Sequence, residues 1–231
     1  AVTIREVEDH WAHVEAGNLR ARLPLIDVGL FPRTMLAQEL PLRFLIDAGE
    51  MGRAIDLCLP SVRKNESFKN LMGVALHTAN GAAHWVATDG HRATKVRTST
   101  EQSGLDVPSC IIPPLALKVW RAVIGRDDLV QVHHADAQVN DDVPNVPPVL
   151  GFIAPGVEMT TRLIEGKFPN LDHIFPEEST YTAEVEPQEL LAVLQSAIIM
   201  CKETIKPVKL SFTPGLLDIE SERAEYGDTK Q

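Results

Sequence analysis

Ala87-Thr88-Asp89-Gly90-His91-Arg92 decides the reading of this chain. Apolar runs at 84–88 and 93–97 flank an Asp-Gly pair. Such a pair marks a tight turn between antiparallel strands, because glycine reaches positive φ without steric cost. A third strand is expected over 71–77, set off from the next by Ala79-Asn80-Gly81, so the region reads as an antiparallel meander. Turn formation accounts for Asp89 and Gly90 and leaves His91 and Arg92 without a local reason.

Working outward, a strand at 42–46 runs into Asp47 and Glu50, the spacing of a helix capping box in which each side chain satisfies the other's backbone N–H. That predicts a helix over 48–62. Strand 107–112, then Pro113-Pro114 opening a helix over 115–124, then strand 129–133 repeat the order. Residues 136–148, with Asp141-Asp142 and three prolines, read as an exposed loop. Strands are expected at 149–154 and 157–164, then a strand at 180–185, a helix at 187–202 and strands at 207–213 and 215–220. The amino-terminal end reads as strands 2–7, 10–15 and 19–26, with Gly17-Asn18 as a hairpin turn.

The chain repeats itself. Gly29-Leu-Phe31-Pro32 recurs as Gly166-Lys-Phe168-Pro169, 137 residues later, and Asp47-x-x-Glu50 recurs as Glu186-x-x-Glu189, 139 residues later. Repeated strand-helix-strands units should lie side by side, with helices on one face of antiparallel sheets, which is an α+β architecture.

The 231 residues are 44% hydrophobic and 23% charged, enough to bury one or two cores. No apolar run reaches the roughly 18 residues of a membrane helix, and the first ten residues alternate with charges, so a cytoplasmic location is expected. Cys58, Cys110 and Cys201 form no CxxC pair, and reduced, buried thiols are expected. With 22 Lys+Arg against 32 Asp+Glu, the net charge of -10 excludes a protein that coats nucleic acid with its whole surface, and 5% aromatics disfavour a base-stacking platform. A local basic face remains compatible: Lys118, Arg121 and Arg126 occur in 114–126 with no acid, and Arg92, Lys95 and Arg97 in 91–100 with none.

Two chemistries compete at the singled-out residues. Asp89 and His91 could serve as a carboxylate and base of a small hydrolase, or contribute with the His133-His134 and Asp136 region to a metal-dependent enzyme. The chain has no GxSxG, GxxxxGK[ST] or GxGxxG motif, and adjacent strand residues such as His133 and His134 point to opposite faces and cannot chelate together, so a solvated strand end is expected there. In helix 115–124, Leu115, Ala116, Val119, Trp120 and Val123 form one apolar stripe, with Lys118, Arg121 and Gly125 opposite. That is the layout of a helix that follows phosphates without reading bases.

The ATDGHR stretch, Leu163-Ile-Glu-Gly-Lys-Phe-Pro-Asn170 ending at Phe175-Pro176, and the repeated unit together resemble the bacterial sliding clamp, the beta subunit of DNA polymerase III. The resemblance runs over nearly the whole chain: 1–39 is similar to the end of the family's first domain, 40–176 to its middle domain and 177–231 to the first half of its third. It implies an internal fragment or shortened relative of a non-catalytic processivity factor without a cofactor. Such a factor encircles duplex DNA as a homodimeric ring and tethers polymerase, clamp loader and other proteins that carry a short clamp-binding motif. The family's partner-peptide pocket maps onto Leu71, Thr88, Gly90, His91, Arg92, Pro169, His173 and Ile174, and its DNA-binding positions onto Arg53, Lys118, Arg121 and Lys202. Ala93 stands where the family motif usually has Leu, and His173 where Arg is common, which implies weaker peptide affinity.

Overall fold

The computed structural model describes residues 1–8, 10–30, 35–65, 67–102, 106–136, 138–140, 143–175, 180–199 and 208–221. It divides into two compact units, Ala1–Pro169 and Asn170–Gln231.

The first unit opens with β1 (Val2–Glu8), β2 (Trp11–Ala16) and β3 (Leu19–Pro24), an antiparallel sheet whose second hairpin turns on Gly17 at φ 59°. Next come β4 (Leu42–Asp47) and α1 (Ala48–Cys58). Strands β5 (Val74–Ala79), β6 (Ala82–Thr88), β7 (Ala93–Ser99), β8 (Glu101–Gln102) and β9 (Cys110–Ile112) follow. After α2 (Pro114–Val123), the unit continues with β10 (Leu129–Ala135), β11 (Gln138–Asn140), β12 (Val143–Val146), β13 (Val149–Ala154) and β14 (Val157–Arg162).

Two antiparallel sheets, β14-β13-β10-β4-β8 and β7-β6-β5-β9, form the body of this unit. Helix α1 lies on β7, β6 and β4, and α2 lies on α1 and β14. The core between them holds Trp85, Trp120, Phe44 and Phe152, all fully buried. Trp120 stacks on Phe152 at 5.2 Å, and the Trp85 indole N–H donates to Thr98 Oγ1 (3.1 Å), so this buried donor is satisfied. The β5-β6 hairpin turns on Asn80 (φ 52°) and Gly81 (φ 71°), two residue types that tolerate the left-handed region a two-residue turn needs.

The strand register carries the internal repeat. Val132↔Phe152↔Met159 across β10, β13 and β14 corresponds to Ile4↔Val14↔Ala21 across β1, β2 and β3, and His134↔Leu150↔Thr161 corresponds to Glu6↔Ala12↔Leu23. In the larger sheet this face is covered, with Val132, Leu150 and Phe152 at zero exposure. In the first sheet the matching face is nearly all apolar, yet Val2, Ile4, Leu19 and Leu23 are more than half exposed.

The second unit contains α3 (Pro187–Ile199) against a hairpin of β15 (Val208–Thr213) and β16 (Leu216–Ser221), turning on Gly215 at φ 76°.

Several expectations need correction. Residues 180–186 form no strand and join no sheet among the described residues, whereas β4 is held by β10 and β8. The stretch read as an exposed loop contains the β11-β12 ladder. Helix α1 ends at Cys58 and tightens into a 3₁₀ turn over Leu59–Ser61 where Pro60 interrupts it. The capping box is half made: Asp47 Oδ1 accepts from Glu50 N (2.8 Å), but the Glu50 carboxylate accepts from Ser99 N (2.9 Å), because the Asp47 backbone belongs to the sheet. The histidine pair is no solvated strand end. His133 and His134 are 6% and 1% exposed; His133 Nδ1 meets Leu40 O at 2.8 Å, and the backbone N–H of His134 donates to Pro41 O (3.1 Å).

Candidate functional site

The 87–92 turn is built by its own side chains. Thr88 Oγ1 donates to Arg92 O (2.7 Å) and accepts from Gly90 N (3.1 Å), and Gly90 takes φ 94°. Asp89 Oδ1 accepts from the backbone N–H of His91 and of Arg92 (both 3.0 Å), while Oδ2 accepts from Arg92 Nε (3.0 Å). The His91 N–H first, and then the Arg92 contacts, hold this carboxyl below its ordinary range. Both carboxylate oxygens are thus engaged within the turn and neither orients the His91 ring, the arrangement a hydrolytic dyad would need. His91 and Arg92 project from the turn into solvent.

Leu71 lies in a 3₁₀ turn, Lys69–Leu71, and not on a strand; β5 starts only at Val74. Gly73 intervenes because a Cβ there would lie 2.6 Å from both Ile111 Cγ2 and Ile112 O and 2.9 Å from Ile164 Cδ1. This close approach seats the Leu71 turn against the run from Leu163 to Pro169. Ile164 N donates to Ile111 O (2.8 Å), Asn70 Nδ2 donates to Lys167 O (2.9 Å), and a Cβ at Gly166 would touch Asn70. On its other side the Leu71 turn reaches the Thr88–Arg92 turn through one residue: Arg63 N donates to Leu71 O (3.1 Å) and Arg63 Nη1 to Asp89 O (3.2 Å).

The first unit therefore gathers Leu71, Thr88, Gly90, His91, Arg92 and Pro169 onto three stitched segments. His173 and Ile174 belong to the second unit, in the 3₁₀ turn Asp172–Ile174, where both are exposed. The sequence reading missed Arg63, Asn70 and Gly73. Only Gly73 carries a signal, a glycine directly before a strand.

The basic helix positions divide. Arg53 is exposed on α1 and Lys118 on α2. Arg121 is tied to Asp56 of α1 by Nη2 and Nε (3.0 and 3.1 Å), its guanidinium lying over Gly52, where a Cβ would meet Nε at 3.1 Å. The buried arc of α2 is Leu117 and Trp120, with Ala116 and Ile124 packed alongside, while Leu115, Val119 and Val123 are 72%, 49% and 51% exposed. The expected stripe is thus rotated by about one residue's turn, because Trp120 stacking and the Arg121–Asp56 tether fix the helix orientation. Lys202 lies outside the described residues, and α3 carries no Lys or Arg over its length.

The remaining candidates are chemically quiet. Burial pushes the Cys58 and Cys110 thiols up to about 12, so neither is a nucleophile at neutral pH, and Cys201 lies outside the described residues. Among the described residues no group of three or more His, Cys, Asp or Glu could hold a metal, and no helix is long and apolar enough to cross a membrane.

Residues 46–170 match the family model of the DNA polymerase III beta subunit, central domain. The beta sliding clamp of Caulobacter vibrioides is 24% identical over 218 residues, 93% of this chain and 56% of that protein. The beta sliding clamp of Pseudomonas aeruginosa is 24% identical over 232 residues, 97% of this chain and 58% of that one. In structure, the DNA polymerase sliding clamp from Bacillus subtilis superposes with a TM-score of 0.79 at 20% identity, over 98% of this chain and 57% of that one. The DNA polymerase III subunit beta from Pseudomonas aeruginosa gives 0.78 at 21%, over 96% and 58%. These likenesses show the fold, and the chain spans a little over half the length of the relatives it matches.

Proposed function

The chain belongs to the family of the DNA polymerase III beta subunit, and on that premise we propose that it acts as a sliding clamp, a non-catalytic processivity factor of the cytoplasm. It encircles duplex DNA, and the complete protein forms a homodimeric ring. Residues 1–39 are the end of a first clamp domain, 40–176 the middle domain and 177–231 the first half of a third. The matched register of β1-β2-β3 and β10-β13-β14 supports this division, since one kind of half-unit occurs twice in the chain.

DNA is held without base readout, through Arg53, Lys118, Arg121 and Lys202, so that the ring slides. Polymerase, clamp loader and other replication proteins dock by a short peptide at Leu71, Thr88, Gly90, His91, Arg92 and Pro169. The observation that carries this reading is the stitching of the Leu71 turn to both the Thr88–Arg92 turn and the run ending at Pro169, which joins three segments far apart in sequence. Leu71 and Pro169 supply apolar surface for a Leu or Phe anchor, and His91 and Arg92 a polar rim.

Titration of a fluorescein-labelled hexapeptide bearing a Leu and a Phe anchor tests the docking site. Burial of one anchor is worth about 1.5 to 3 kcal/mol, so Leu71→Asp is expected to weaken the peptide by about ten- to a hundredfold. Equal affinity of parent and variant would overturn the assignment.

A further inference from the structure

We infer that Arg63 is the positioning residue of this docking site, holding the Leu71 turn and the Thr88–Arg92 turn at the separation a bound peptide requires. The inference rests on the docking reading above and adds a residue outside the family's mapped pocket.

Arg63 makes three contacts on two segments, the Phe68–Leu71 turn and the Thr88–Arg92 turn. Its backbone N–H donates to Leu71 O (3.1 Å), its Nη1 donates to Asp89 O (3.2 Å), and its guanidinium carbon lies 4.6 Å from the centroid of the Phe68 ring. A Cβ at Gly90 would come within 3.4 Å of Nη1, so the guanidinium fills the space beneath the turn that Gly90 leaves open. Among the described residues, Arg63 Nε is buried without a hydrogen-bond partner. A buried donor left unsatisfied costs free energy, so this side chain is held in place by the contacts of its other atoms.

Each contact does separate work. The bond to Leu71 O fixes the apolar side of the site, and the bond to Asp89 O fixes the polar side. Phe68, 53% exposed, shields one face of the guanidinium from water, which strengthens the cation–π contact and the hydrogen bond beside it. Lysine reaches a carbonyl as a point charge but lacks the planar fork that both stacks on a ring and donates beyond it. Arg63 itself need not touch the peptide, because its effect passes through the two turns.

The test measures peptide affinity with the same labelled hexapeptide, together with thermal melting and the amide resonances of Leu71 and Gly90. Arg63→Met, which keeps the apolar stem and removes the fork, is expected to weaken the peptide by about tenfold, shift both amides and leave the melting temperature within a few degrees of the parent. Arg63→Lys should recover only part of the affinity. Phe68→Ala removes the stacking and keeps the backbone bond to Leu71, so it should weaken the peptide about threefold and decides the matter should Arg63→Met fail to fold. Parent-like affinity in Arg63→Met and Phe68→Ala, with Leu71→Asp still deficient, overturns the role of Arg63 and leaves the docking site standing. Parent-like affinity in Leu71→Asp overturns the docking site, and the role of Arg63 falls with it.

Discussion

Gly73 shows how much of this molecule depends on single atoms. A methyl group there would stand 2.6 Å from Ile112 O, a backbone atom that cannot swing aside. Gly73→Ala is therefore expected to destabilise the first unit by about 1–3 kcal/mol, the range for overpacking, with urea unfolding as the check. His134 sets a pH dependence. Its side chain is 2% exposed, its Nδ1 has no hydrogen-bond partner among the described residues, and Asp136 Oδ1 lies 3.9 Å away. Desolvation lowers its pKa, against a raising influence of Asp136, and Arg43 adds to the lowering. The folded state then binds the proton less readily than the unfolded chain, whose histidine titrates near about 6.5. Stability is fully present above that pH and declines as pH falls below it. Denaturant unfolding at pH 7.5 and 5.5 should show the decline, and His134→Leu should flatten it. Residues whose role is local were legible in the sequence: Asn80-Gly81 and Asp89-Gly90 predict their turns because the turn geometry itself selects them. Arg63 and Glu50 were not, since their partners, Asp89 and Ser99, lie 26 and 49 residues away.

At the scale of elements, α2 separates what periodicity can and cannot settle. The helix and its opening at Pro113-Pro114 follow from sequence, with Pro113 as N-cap and Pro114 in the first turn. Its orientation does not, because apolar residues cover more than half of its circumference, and the choice of buried arc falls to Trp120 on Phe152 and to Arg121 on Asp56. The consequence is functional. Arg121 and Asp56 side chains are 38% and 54% exposed, so their pair contributes at most about 1 kcal/mol to stability, yet it neutralises a charge that the proposed phosphate contact would use. Lys118→Gln is expected to reduce the slope of log K against log salt for duplex binding by about 0.9, and Arg121→Gln to reduce it by less. A larger effect for Arg121 in a salt titration would mean that the ion pair opens on DNA. The failed strand at 180–185 teaches a related lesson: a stretch rich in β-branched residues becomes a strand only where another strand accepts its hydrogen bonds, and sequence alone does not supply the neighbour.

For the whole molecule, the repeat was readable from two short motifs, and the structure extends it to a register match between two sheets. Composition agrees with the proposed role, since a net charge of -10 is compatible with a local basic face, and Arg53 on α1 and Lys118 on α2 are exposed. The central claim is that the complete protein encloses DNA, and topology tests this more directly than affinity does. Solution molar mass should equal that of two chains. Protein loaded onto nicked circular plasmid should co-elute with it through gel filtration at a salt concentration that strips simple phosphate contacts, and should be released when one restriction cut opens the circle. A monomer that leaves circular and linear plasmid at the same rate would contradict the account.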